Sequence, residues 1–167
     1  MCICTVVEPT TYGSAFYKNA GIAGSGHEIA TVRIEPSGAI LVSCGIMGSG
    51  QGYETTLAQC AAEGLGARFE DIAVRIGNTD EAPYGMGSRG ARGAAAGGGV
   101  VLIAARRMRV KLLKLAAHLL GLNSPESLAI ADGKVLRLVD GAWTATDHSI
   151  ASLARIAHLD PLRLPEG

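Results

Sequence analysis

The sequence predicts an α+β domain with a mainly antiparallel sheet and two principal helices. Three observations carry that expectation: hairpin signals at Pro36-Ser37-Gly38 and Asp132-Gly133, helical periodicity over Tyr53 to Leu65 and roughly Ala96 to Leu120, and a glycine-rich turn before each helix. With 167 residues and 48% hydrophobic content the chain can build a core of its own, and residues 1–167 read as a single domain.

Taken in order, Cys2 to Val7 predicts a short apolar strand, closed by Pro9 and the Thr10-Thr11-Tyr12-Gly13 turn. Ser14 to Gly26 is polar and predicts a loop with at most one helical turn. From Glu28 to Ile34 apolar and polar residues alternate, Pro36-Ser37-Gly38 turns the chain, and Ala39 to Ile46 continues as a second strand. That strand leads into Gly48-Ser49-Gly50-Gln51-Gly52. In the helix beyond, Leu57, Cys60, Ala61, Gly64 and Leu65 share one face, and Gly66 is its stop. Ile72, Val74 and Ile76 alternate as a strand capped by Thr79 and Asp80.

The second turn runs from Tyr84 to Gly93, and glycines crowd the stretch Gly85 to Gly99, so backbone approach must set its shape. The helix after it places Val101, Ala104, Ala105, Met108, Leu112, Leu115 and Leu119 on one face. Arg106, Arg107, Arg109, Lys111 and Lys114 lie mainly on the others, as a solvated face would. Ser127 to Val139 predicts two short strands joined at Asp132-Gly133, and Thr146-Asp147 offers an N-cap for a last helix from about Ser149 to His158.

Fifteen basic residues balance fifteen acidic ones, which argues against nucleic acid or an anionic membrane as the partner. No apolar run is long enough to span a bilayer and the N-terminus lacks a secretion-signal pattern, so the expected location is the cytoplasm. Cys2, Cys4, Cys44 and Cys60 form no C-x-x-C pair. They read either as reduced, mostly buried thiols or as a metal or iron–sulfur site. His27, His118, His148 and His158 share no spacing, and Glu28, Glu54 and Glu63 have no identifiable carboxylate partner.

The two glycine-rich turns are the more informative candidates for chemistry. Glycine permits positive φ and close approach, and a helix start presents unpaired N–H groups with partial positive charge, the combination that holds phosphates. Neither turn fits the P-loop or the dinucleotide-binding spacing. The Gln51 amide can donate and accept at once, so it reads as a ligand contact or, alternatively, as a turn residue bonding its own backbone. Arg89 and Arg92 carry guanidinium groups able to pair bidentately with phosphate.

The segment Gly48 to Thr56, together with Ile76-Gly77-Asn78-Thr79-Asp80 and the second turn, resembles the molybdenum hydroxylase family: xanthine dehydrogenases, aldehyde oxidases and the large subunit of aerobic carbon monoxide dehydrogenase. Members carry a Gly-Gln-Gly turn, a helix, a strand ending in Gly-Asp-Thr-Asp or similar, a glycine/serine/arginine-rich turn and an alanine-rich helix, and this chain has them in that order. The similarity extends to Val7-Glu8-Pro9-Thr10-Thr11 and Leu164-Pro165-Glu166-Gly167, so it covers nearly the whole chain. It leans toward the carbon monoxide dehydrogenase-like and bacterial aldehyde oxidase-like branch.

The resemblance implies part of a molybdopterin-binding domain, a central piece of an oxidoreductase large subunit. It implies cofactor contacts at Gly50, Gln51, Gly52, Ser88, Gly90, Ala91, Arg92 and Gly93, with no catalytic residue and no metal ligand in this chain. Ala91 and Gly93 stand where relatives usually have serines, which removes two hydroxyl contacts; Ser88 matches a hydroxyl-bearing position. The family's glutamine- and glycine-bearing loop and its catalytic glutamate, in a Gly-Glu-Pro-like segment, have no counterpart here. Glu166 belongs to Leu-Pro-Glu-Gly, a different element. The expected cofactor is molybdopterin, in its cytosine dinucleotide form, present only in a completed complex and absent from the isolated chain. Expected partners are the remaining segments or subunits of a molybdenum hydroxylase, with iron–sulfur and flavin subunits; alone, the chain is expected to be inactive and to form a homo-oligomer. An alternative from another class is a non-catalytic remnant or split-gene assembly subunit that self-associates.

Overall fold

The computed structural model describes residues 2–7 and 11–165. Within them the elements run α1 (Ser14–Asn19), β1 (Ala30–Ile34), β2 (Ile40–Cys44), α2 (Tyr53–Leu65), β3 (Ile72–Arg75), α3 (Gly99–Leu119), β4 (Leu128–Ala131), β5 (Lys134–Val139), β6 (Ala142–Ser149) and α4 (Ile150–Leu159). Short 3₁₀ turns at Phe69–Asp71 and Pro161–Arg163 join elements, and a π-helical stretch, Gly93–Gly98, leads into α3.

The fold is α+β, and the strands divide into two three-stranded sheets, β1-β2-β3 and β4-β5-β6. Every pairing is antiparallel except β2 with β3, where Ile40 faces Ile72 and Val42 faces Val74. A parallel neighbour needs a crossover, and α2 supplies it. Alternation points Ile34, Ile40, Val42 and Cys44 to one side, where they join Leu57, Ala61 and Leu65 of α2 and Val101, Ala105 and Leu112 of α3. The same core continues through Ile130, Val135, Ile150 and Leu153 of the second sheet and α4.

Two glycines permit the closest approaches. A Cβ on Gly64 would stand 2.6 Å from that of Ala105, so α2 and α3 pack nearly backbone to backbone. Gly66, left-handed at the end of α2, would carry a Cβ 2.1 Å from the Ile130 carbonyl, and its own carbonyl accepts from Gly133 N–H at 2.9 Å. These contacts dock the second sheet on the end of α2.

Several expectations need correction. Residues 2–7 form no strand and are all exposed, because among the described residues nothing pairs with their backbone. Ser14–Asn19 makes a helix of six residues rather than at most one turn. β6 had no counterpart in the sequence reading, although Asp140-Gly141 repeats the signal of Asp132-Gly133 and all four residues take positive φ. Thr146 is therefore a strand residue whose hydroxyl donates to Val135 O at 2.9 Å. The N-cap of α4 is Ser149, in a reciprocal capping box with Ser152. Glu8, Pro9, Thr10, Glu166 and Gly167 lie outside the described residues.

Candidate cofactor site

β2 ends at Cys44 and delivers the chain through the buried Ile46 into the first turn. Gly50 and Gly52 take φ of 97° and 74°, conformations that disfavour any residue with a Cβ. Among the described residues nothing stands within 4 Å of where their Cβ atoms would be, so the turn is open there. Gln51 is exposed and its Oε1 accepts from Ser49 N–H, the self-bonding alternative of the two sequence readings. α2 begins on Gly52 with no side-chain cap, and among the described residues nothing engages the N–H groups of Gly50, Gln51 and Gly52. Three free donors at a helix start make a place for oxygen-bearing, anionic groups.

The second turn lies against the first. Ser88 Oγ accepts from Met47 N–H at 3.1 Å and donates to the Met47 carbonyl. Gly93 is buried beneath the Tyr53 ring, the first residue of α2: a Cβ there would stand 2.0 Å from the phenol oxygen. Gly90 and Ala91 are exposed, both with φ of 52°, and among the described residues no partner takes their N–H groups. The glycines that continue into the π-helical stretch let it approach the core, with Gly97 against Ile46 and Gly98 against Cys60.

The two arginines are used differently from what the sequence suggests. Arg89 is exposed and lies over the Tyr17 ring, 5.0 Å from its centroid. Arg92 is 1% exposed. Its Nη1 donates to Glu28 Oε2 at 2.6 Å and Gly87 O at 2.8 Å, and its Nη2 to Gly26 O at 3.0 Å and His27 O at 2.9 Å. Nε is buried with no partner among the described residues. The paired nitrogens that would grip a phosphate are already spent.

Burial pushes the Cys44 thiol up, with Glu28 adding in the same direction, and burial alone does so for Cys60. Both therefore behave as protonated apolar side chains, while Cys2 and Cys4 are exposed and free. Among the described residues no group of His, Cys, Asp or Glu is placed to hold a metal ion, and no helix is long and apolar enough to cross a membrane. His158 Nε2 meets the Ile34 carbonyl at 2.9 Å, a structural tie of α4 to β1. A cleft of about 1040 Å³ is lined by Gly38, Asp132 and Ala151 and so lies at the other end of the β1–β2 hairpin from the turns.

A family model described as a molybdopterin cofactor-binding domain matches residues 1–166. The chain belongs to that family, within the molybdenum hydroxylases. The large subunit of nicotine 6-hydroxylase from Paenarthrobacter nicotinovorans is 35% identical over 99% of this chain and 20% of its own length. The carbon monoxide dehydrogenase large chain of Afipia carboxidovorans is 41% identical over 65% of this chain and 14% of its own. Among solved structures, quinoline 2-oxidoreductase from Pseudomonas putida 86 matches with a TM-score of 0.82 at 35% identity, covering 96% of this chain and 20% of that one. A Cu,Mo-CO dehydrogenase matches at 0.75 and 30% identity, over 95% and 19%. The chain thus spans about a fifth of the nicotine 6-hydroxylase large subunit.

In this molybdopterin-binding domain the structure brings Gly50, Gln51 and Gly52 beside Ser88 and Gly93 through the Met47 and Tyr53 contacts, and leaves Gly90 and Ala91 on the exposed surface. It turns Arg92 inward. Sequence reasoning missed Met47, Tyr53 and above all Glu28, whose partner lies 64 residues away in sequence. No local pattern marks such a pair.

Proposed function

We propose that this chain is the cofactor-binding portion of a molybdenum hydroxylase-type oxidoreductase and holds part of a molybdopterin cofactor on the rim formed by its two glycine-rich turns. The observation that supports this most is the stitching of one turn to the other through Ser88, Met47, Tyr53 and Gly93, which leaves an uncapped helix start and free N–H groups side by side. When bound, the cofactor's molybdenum supplies the redox centre at which substrate is oxidised.

On this reading the N–H groups of Gly50, Gln51 and Gly52 donate to cofactor oxygens, and the Gln51 amide leaves Ser49 to meet the pterin edge. Gly90 and Ala91 offer main-chain N–H in place of side-chain hydroxyls, and Ser88 holds the second turn to the first. Arg92 contributes by fixing that turn. A cytosine dinucleotide form suits the bacterial relatives, and the site is completed by the remaining segments of a large subunit, with iron–sulfur and flavin partners, in the cytoplasm. The isolated chain is inactive and carries no stoichiometric molybdenum. Exposed apolar residues such as Ile3, Val6 and Val7 fit assembly with further chain, and self-association when that is missing.

The test is to substitute this chain for the matching fifth of the nicotine 6-hydroxylase large subunit and measure molybdenum and pterin in the purified complex. Stoichiometric molybdenum in the hybrid and none in the isolated chain is the expected result. An assembled, folded hybrid without either would overturn the reading.

A further inference from the structure

The second turn is anchored from outside as well as by its own residues. Glu28 stands just before β1, Gly45 just after β2, and Gly85 at the start of the turn; the Glu28 carboxylate is packed among all three elements. A Cβ on Gly85 would lie 1.7 Å from Glu28 Oε1, and one on Gly45 would lie 2.4 Å from it. Two glycines thus leave room for a carboxylate in a place no larger residue allows. Both charged side chains are 1% exposed, and Arg92 spends four donors on Glu28 and three carbonyls. The Arg92 N–H donates to Arg89 O and its carbonyl accepts from Ala96 N–H, so the residue also closes the turn Arg89–Arg92 and starts the π-helical stretch.

We infer that Glu28 is a positioning residue for the cofactor turn: it acts through Arg92 to fix the backbone of Gly87–Gly93 against the β1–β2 hairpin, and thereby the placing of Ser88, Gly90 and Ala91. The geometry excludes the simpler role for Arg92, since a guanidinium with both Nη atoms taken cannot grip a phosphate with two nitrogens. A buried ion pair has weak claims as a source of net stability, because desolvation offsets its attraction; with both Nη atoms engaged by Glu28 and three carbonyls, and Nε left unpaired, its contribution is to hold one arrangement of the turn. What the turn is positioned for rests on the proposed function.

Two measurements separate the claims. In the full chain, Glu28→Gln and Glu28→Asp should raise amide hydrogen exchange of Met47 and Arg92, whose N–H groups donate to Ser88 Oγ and Arg89 O, by about 10–100-fold, the range expected when hydrogen bonds to a charged group are lost. Exchange in Leu57–Leu65 and Val101–Leu112 should change far less. A merely structural residue, represented by Leu153→Ala, should instead raise exchange throughout by a common factor. In the hybrid large subunit, Glu28→Asp should lower molybdenum and pterin content while the complex still assembles. Turn exchange that rises only in step with the core, or turn exchange that rises while molybdenum content holds, would overturn the positioning role. If Gln51→Ala also leaves molybdenum content unchanged, the cofactor-site reading fails, while the exchange result still decides whether Glu28 orders the turn.

Discussion

In the first turn Gly50 and Gly52 adopt φ of 97° and 74° with open space where a Cβ would be, whereas in the second turn Gly85 and Gly93 would place a Cβ 1.7 Å from Glu28 and 2.0 Å from Tyr53. One set of glycines is needed for backbone conformation, the other for close approach. The first turn is held lightly, by the Gln51 side chain on Ser49 N–H, and presents its donors outward. The second is held by a buried ion pair and by Ser88 on Met47. A glycine-rich turn before a helix is therefore not one device. Here a donor-bearing loop with one side-chain tie rests against a second loop that is tied to the core by a buried ion pair.

That contrast can be broken most forcefully at Glu28. Glu28→Ala leaves the Arg92 guanidinium buried and unpaired, and urea unfolding should show a loss of about 3–5 kcal/mol. A loss under about 1 kcal/mol would mean that water reaches the pair and that the second turn is not clamped. The glycines sharpen the difference further. Gly85→Ala should cost roughly 1–3 kcal/mol or more by overpacking the carboxylate. Gly50→Ala should cost about 1–2 kcal/mol, from backbone strain alone. The distinction is that a D-alanine at position 50, introduced by semisynthesis, should relieve the strain; at position 85 no such relief follows from a positive φ, since that residue has none.

Thiol labelling compares the exposed N-terminal segment with the core beneath the turns. Cys2 and Cys4 should react with iodoacetamide promptly near pH 8, and Cys44 only on unfolding, because burial raises its pKa. The sign is fixed by that shift: the contribution of the neutral, buried thiols is fully present below the ordinary thiol value of about 8.5 and lost as pH rises through their higher folded values. Unfolding midpoints that rise above pH 9 would contradict it.

Much of the scaffold was legible because local chemistry and tertiary structure agree. The Pro36-Ser37-Gly38 turn, the Asp132-Gly133 hairpin and the α2 periodicity each predict what forms. β6 was equally legible in Asp140-Gly141 and passed unread. The Cys2–Val7 strand failed for a different reason: alternation and β-propensity specify a strand only where a partner edge exists. At the site, the two turns were readable as glycine-rich helix starts. Their mutual contact was not, because Ser88 meets Met47 across 41 residues and Glu28 meets Arg92 across 64. Family resemblance pointed to Arg92 as a residue that matters, and only burial shows that its side chain faces the core.

On the proposed reading the outward-facing turn is the one that meets the cofactor. In the hybrid large subunit, molybdenum content should fall when Gln51 is replaced by alanine, although stability should change by less than about 0.5 kcal/mol for so exposed a side chain. Glu166→Ala should leave molybdenum content unchanged. Metal analysis giving the reverse, full loading with Gln51→Ala and loss with Glu166→Ala, would contradict the assignment of the site to the Gly-Gln-Gly turn.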